Sequence, residues 1–324
     1  MRGWPAALIV LLVPLGGCAT SEAPGAGTGT PDAVAQPVER DAILFQTEAG
    51  PITVLLYPEA APKTVALMQQ YVAEGYYVGR WFGRTVPGHV IQVAEPTEHR
   101  DDPRRVPLET SPAFHFSAGA VGTARGADPG SGGPELFIMD YATSHLDGNY
   151  TVWGQVLSGL AVVHDIATRP AIDSSVVAPI PGAQAQAPFD RMAVVPVRIT
   201  ATQSLRVSLP PEAAAHLPLQ VARNVRAGDL RHSLEYPADL HAGAPAHLTW
   251  YARGYDGAAA PTQRLEVRDN GTAIPLAPAS PGVYPFDWTP SSAGPHTLAF
   301  VEGGNVLARL QVDVPRTAPP HALA

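Results

Sequence analysis

The chain has 324 residues, a length that suggests two domains, and its 45% hydrophobic content is enough for packed cores. Glycine (30) and proline (35) make up about a fifth of it, which excludes a helix bundle or coiled coil, and no three-residue period points to collagen. A net charge of −8 argues against a basic face for nucleic acid, so no nucleic-acid partner is expected.

Met1-Arg2 precedes an apolar run from Trp4 to Leu15, which ends in Leu15-Gly16-Gly17-Cys18. A charged start, a short apolar core and small residues before a cleavage point make a secretory signal. The run is too short to span a bilayer, which takes about 20 apolar residues. Cys18, the single cysteine of the chain, follows two glycines in a pattern that resembles the lipobox of bacterial lipoproteins. The resemblance implies that residues 1–18 are a lipoprotein signal and that Cys18 is lipidated. It further implies a cell-envelope location, held to a membrane through that lipid. Ala19 after the cysteine points to the outer membrane, facing the periplasm. Residues 19–38 are mostly Ala, Gly, Pro, Ser and Thr. They read as a flexible tether whose ends are typically roughly 25 Å apart.

Alternation begins at Ala42-Ile43-Leu44-Phe45 and resumes at Ile52–Tyr57 beyond Glu48-Ala49-Gly50, the pattern of a hairpin. Pro62 opens a helical stretch with Val65, Met68 and Val72 on one face, and Gly75 closes it. Strands are expected at Val90–Val93, Leu136–Met139 and Thr151–Val156, and a short helix at Leu160–Thr168. Arg169–Asp190 is a long proline- and alanine-rich loop, and Met192–Thr200 is a β-prone run. Strands at both ends with helices between predict a closed antiparallel barrel over residues 39–205, the first strand pairing with the last. Residues 206–231 read as a linker. Beyond it, strands are expected at His247–Ala252, Arg264–Arg268, Val283–Trp288, His296–Val301 and Val306–Val314. Turn signals at Asn270-Gly271 and Gly303-Gly304-Asn305 separate them. Short strands at this spacing predict an immunoglobulin-like β-sandwich over residues 232–318, in which no catalytic grouping stands out. The fold class is mainly β.

The chemistry lies in five ordered segments of the first half. They are Phe45–Val54, Tyr57–Val65, Trp81–Gln92 (Trp-Phe-Gly-Arg-Thr-Val-Pro-Gly-His-Val-Ile-Gln), Thr123-Ala124-Arg125 with Glu135–Ile138, and His145–Gly154 (His-Leu-Asp-Gly-Asn-Tyr-Thr-Val-Trp-Gly). Together they resemble the cyclophilin family of peptidyl-prolyl cis–trans isomerases, over about residues 42–200. The resemblance implies an eight-stranded barrel with two helices and a substrate of proline-containing peptides or exported proteins. It makes Arg84 the catalytic arginine and Gln92 the glutamine that helps position the substrate carbonyl. Phe137 and Leu146 match walls of the proline pocket. Ala124, Arg125 and Gly126 match the edge that hydrogen-bonds an extended peptide. Phe82, His89, Val90, Glu135, His145 and Tyr150 complete the expected substrate-binding set.

Isomerisation asks for little chemistry. The barrier of about 18–20 kcal/mol comes from amide resonance. An apolar slot for the proline ring and a donor that favours the twisted amide are sufficient, so no cofactor is expected. A guanidinium is always charged and offers donors in a rigid fork. The chain departs from the family in four places: His89 replaces an aromatic pocket wall, Val93-Ala94-Glu95 stands where Gly-Gly-Asp is usual, Glu135 stands where a neutral amide is usual, and His145 replaces the aromatic before Leu-Asp-Gly. These departures polarise the slot and make a second reading available, a catalytically weak adaptor that binds proline-containing segments. A third reading makes the barrel a spacer for a binding sandwich. The eleven histidines lack the paired spacing of a metal site, and no metal is expected.

Overall fold

The computed structural model describes residues 36–94, 102–173, 191–224, 232–252, 265–276, 278–280 and 282–316. The signal, Cys18 and residues 19–35 of the tether lie outside the described residues.

β1 (Val38–Thr47) and β2 (Gly50–Leu56) form the expected hairpin, with Gly50 at φ 131°, a setting that favours glycine. α1 (Pro62–Ala73) starts on a proline, whose missing N–H is no loss in a first turn, and buries Val65, Met68, Tyr71 and Val72. The carboxylate of Glu109 accepts the N–H groups of Lys63 and Thr64 at 3.1 and 2.9 Å, so the cap comes from a distant loop. β3 (Trp81–Val86), β4 (Val90–Ala94), β5 (Ala120–Thr123), β6 (Leu136–Met139) and β7 (Val152–Ser158) follow, then α2 (Leu160–Thr168). A small hairpin of β8 (Ala171–Asp173) and β9 (Arg191–Ala193) precedes β10 (Val197–Leu209).

The barrel closes in the order β1-β10-β3-β4-β6-β5-β7-β2, with β2 returning to β1. First pairs with last along the whole length of β1, from Val38 opposite Leu209 to Thr47 opposite Ile199. Ile43, Phe45, Ile52, Phe82, Ile91, Leu136, Ile138 and Trp153 are buried in its interior core. Each such side chain is worth about 1.5–3 kcal/mol of burial.

Two expectations are corrected. The run Met192–Thr200 is broken at Val194-Val195-Pro196, because Pro196 has no N–H for a ladder. The expected 206–231 linker is largely structured among its described residues. β10 runs on to Leu209, α3 (Pro211–Ala215) follows, and β11 (Gln220–Asn224) is a strand.

The second half contains β12 (His232–Tyr236), β13 (Ala246–Ala252), β14 (Leu265–Asp269), β15 (Thr272–Pro275), β16 (Val283–Trp288), β17 (Gly294–Glu302) and β18 (Asn305–Val314). β12-β13-β16 face β18-β17-β14-β15, the immunoglobulin-like arrangement, and β11 pairs with both β12 and β18 at the corner. Trp250 of β13 stacks on Phe300 of β17 with centroids 4.5 Å apart, so the core lies between the two sheets. Asn270 (φ 49°) and Gly271 (φ 86°) make the β14–β15 turn, as that dipeptide foretells. The two halves meet through a small apolar cluster of Ala118, Tyr141 and Ala142 from the barrel with Val221 and Tyr251 from the sandwich.

Candidate active site

One cross-strand row organises the site. Arg84 on β3 stands opposite Gln92 on β4, Gln92 opposite Phe137 on β6, and Phe137 opposite Gly122 on β5. Residues paired in this way share one face of a sheet, so the guanidinium, the amide and the aromatic ring line up on adjacent strands. Arg84 and Gln92 are half-buried, whereas Phe137 is 5% exposed. The row is possible because β3 carries a bulge between Phe82 and Arg84. Phe82, opposite Val93, belongs to the core and is fully buried. It therefore offers substrate no surface, contrary to the sequence expectation. Val90 is 2% exposed and belongs to the core cluster, as Phe137 does, and it lies two residues before Gln92 on the same face of β4.

Phe137 is held from three sides. The Phe116 ring stacks on it at 5.5 Å and 24°, and Tyr150 meets it edge-on at 5.8 Å. Gly122 leaves the room for this packing. A methyl group there would lie 2.8 Å from Phe116 Cε1 and closer still to Phe137 Cζ. Leu146 ends the short turn Ser144–Leu146, is half-buried and packs on the barrel core. Asp147 ties that turn to the aromatic cluster: its Oδ1 accepts the Phe116 N–H at 2.9 Å and its Oδ2 pairs with His115 Nδ1 at 2.7 Å.

The polar groups form a rim. Gln92 Nε2 donates to Glu135 Oε2 at 3.1 Å. Glu135 is fixed through its neighbours, since the buried Tyr77 hydroxyl donates to Pro134 O at 2.8 Å and the Ala124 N–H to Glu135 O at 2.8 Å. His89 and His145 stack with centroids 5.9 Å apart and planes 20° apart. Arg125 donates to Asn149 O through Nε and Nη2 at 2.9 and 2.7 Å, and its guanidinium lies 4.8 Å over the Tyr150 ring. The Gly126 N–H donates to Ser131 Oγ at 2.9 Å, and Gly126 O accepts from Arg125 Nη1 at 2.8 Å. An extended peptide pairing along Ala124–Gly126 would exchange these internal bonds for its own. Among the described residues no group of three or more His, Cys, Asp or Glu side chains is placed to hold a metal ion.

A family model described as cyclophilin type peptidyl-prolyl cis-trans isomerase/CLD matches residues 42–186. Peptidyl-prolyl cis-trans isomerase ppi1 of Schizosaccharomyces pombe is 34% identical over 129 residues, 36% of this chain and 79% of that protein. Peptidyl-prolyl cis-trans isomerase B of Bacillus subtilis is 40% identical over 109 residues, 32% of this chain and 75% of that protein. The chain belongs to the cyclophilin-type peptidyl-prolyl cis–trans isomerases. A solved Cryptosporidium parvum cyclophilin-type isomerase covers 52% of this chain and 98% of its own, with TM-score 0.44 and 19% identity.

Within this cyclophilin the structure adds residues that sequence reading did not single out. Phe116 stacks on Phe137 from a loop with no motif of its own. Gly122 lies just before Thr123-Ala124-Arg125, and only the register opposite Phe137 reveals its role. Asp140 is buried; its Oδ2 accepts the Gly88 N–H at 2.7 Å and its Oδ1 meets His164 Nδ1 at 2.9 Å. It thereby holds the turn that presents His89. The carboxylate raises the pKa of His164 above the ordinary imidazole value.

Proposed function

We propose that this peptidyl-prolyl isomerase acts on exported proteins at the cell envelope, with Arg84 assisting the twist of the Xaa-Pro amide. The observation that carries the mechanism is the row Arg84, Gln92, Phe137 on adjacent strands. With the proline ring against Phe137, the guanidinium is placed to donate towards the prolyl nitrogen. That nitrogen becomes a better acceptor as resonance is lost, so the bond strengthens in the transition state. Gln92 orients the substrate carbonyl beside it. The exported setting is argued from the sequence alone: the secretory-signal pattern from Met1 to Cys18 would direct the chain across a membrane, and a lipid on Cys18 would hold it there.

One observation favours a second reading. Glu135 engages the Gln92 amide, and paired imidazoles occupy the rim. Such a slot can bind proline-containing segments and turn them over slowly, as an adaptor would. Arg84→Ala in the full chain separates the two. Exchange between cis and trans in a proline tetrapeptide should slow by about tenfold or more while circular dichroism stays unchanged. Unchanged isomerisation with retained peptide binding would remove Arg84 from the mechanism and leave the adaptor.

A further inference from the structure

The wall behind Phe137 is built from the segment Phe116-Ser117-Ala118, and nearly all its polar groups find partners inside the barrel. The Phe116 N–H donates to Asp147 Oδ1 at 2.9 Å, and Phe116 O accepts the Thr143 N–H at 2.7 Å. Ser117 Oγ donates to Gln155 Oε1 at 2.8 Å, and Ala118 O accepts from Gln155 Nε2 at 2.6 Å. The Ala118 N–H is the exception. Ala118 is 2% exposed, and its N–H donates at 2.8 Å to Oε2 of Glu235, which lies on β12 of the sandwich.

We infer that Glu235 is a positioning residue of the proline site, supplied by the sandwich to hold the Phe116–Ala118 wall. This rests on the reading of the Phe137 row as the site where proline binds. The contact is not isolated. Val221 and Tyr251 pack on Ala118, Tyr141 and Ala142 around the bond, and the Tyr141 and Tyr251 rings lie 5.0 Å apart. Gln220 Nε2 donates to Ala113 O at 3.2 Å on the other side of Phe116. β11 also lies against the Ser144–Leu146 turn that carries the expected Leu146 wall. The sandwich therefore grips the two loops that frame Phe137 from behind. A buried N–H must keep an acceptor, and without Glu235 the segment moves to find one. Phe116 moves with it, and the ring stacked on Phe137 is displaced. The second half of the chain thus serves as a brace for the catalytic half.

The test uses the full chain with Glu235→Gln, which keeps a carbonyl acceptor, and Glu235→Met, which fills similar space with none. Steady-state isomerisation and binding of a proline tetrapeptide are measured together with amide hydrogen exchange at Ala118. The Met variant should show KM and peptide Kd raised by about tenfold with kcat little changed, and faster exchange at Ala118. The Gln variant should behave as the parent chain does. The inference is overturned if the Met variant keeps both its peptide affinity and its Ala118 protection, or if Gln fails as Met does. Should Met fail to fold, exchange in the parent chain decides. An Ala118 amide as fast as exposed loop amides refutes the brace, and a protected one that stays protected in the Gln variant upholds it. Failure of the catalytic reading shows separately, as Arg84→Ala turning over unchanged.

Discussion

Gln92 and Glu135 are joined by a 3.1 Å hydrogen bond from amide to carboxylate, beside the guanidinium strand. The acceptor is charged, so the bond is stronger than an amide–amide pair and holds one of the two Gln92 donors. Glu135→Gln weakens that hold and removes a negative charge from the peptide's path. Its kcat/KM on a neutral proline tetrapeptide should rise by roughly threefold, and by more when an acidic residue flanks the proline. Comparing the two peptides checks both parts. A variant no faster on either peptide means that Glu135 does not restrain Gln92.

Gly122 provides a steric test of the aromatic slot. A methyl group there would press into the stacked pair of Phe116 and Phe137. Both rings are buried, so neither can swing into solvent to make room. Gly122→Ala should destabilise the chain by about 1–3 kcal/mol, measured by denaturant unfolding, and weaken peptide binding as Phe137 shifts. A stable variant with full affinity would show that the rings have slack which the packing does not suggest.

Most of the barrel was legible because its signals are local. The Ile52–Tyr57 alternation, Pro62 at a helix start and the apolar run Leu136–Met139 each state their element without help from the rest of the chain. Arg84, Gln92 and Phe137 were legible through family motifs, and the register then placed them in one row. What escaped depends on distant partners. β11 is a short strand, Gln-Val-Ala-Arg-Asn, with no apolar period, and it exists because β12 and β18 supply its hydrogen bonds. Phe82 enters the expected substrate-binding set through the same family resemblance as Arg84. The bulge between them reverses the alternation and sends Phe82 to the core. Glu235 was invisible for the same reason as β11: its partner Ala118 lies in the other half of the chain.

The envelope reading turns on Cys18. A single acyl chain binds a membrane marginally, whereas several hold it stably. Cys18→Ser should shift the protein from the membrane fraction to the soluble fraction of the cell, with isomerase activity preserved in the soluble material. Parent protein already found in the soluble fraction would remove the anchor and return Met1–Cys18 to an ordinary cleaved signal.

Glu235 also makes a prediction about pH. Desolvation at the junction pushes its pKa from 4.5 up to about 7, opposed in part by the Ala118 N–H. Between those two values the folded chain binds more protons at this site than the unfolded chain does. Stability therefore falls as pH rises from about 4.5 to 7, and the loss is complete above that window. His164 acts in the same direction. Its pKa is raised by Asp140, so its contribution is full below the unfolded imidazole value and is lost as pH rises through the folded one. The groups around Glu235, Tyr141 and Tyr251, have raised pKa values of their own and do not titrate in this range, and Asp140 is an acceptor for His164. Glu235→Gln mimics the protonated acid at every pH while keeping an oxygen for Ala118. Its melting temperature should match the parent chain near pH 4 and exceed it at pH 8, by the equivalent of about 1–3 kcal/mol. The His164 slope should persist in both proteins, which separates the two groups in one pair of titrations. If the two melting curves differ by the same amount at both pH values, the carboxyl of Glu235 is not desolvated at this junction.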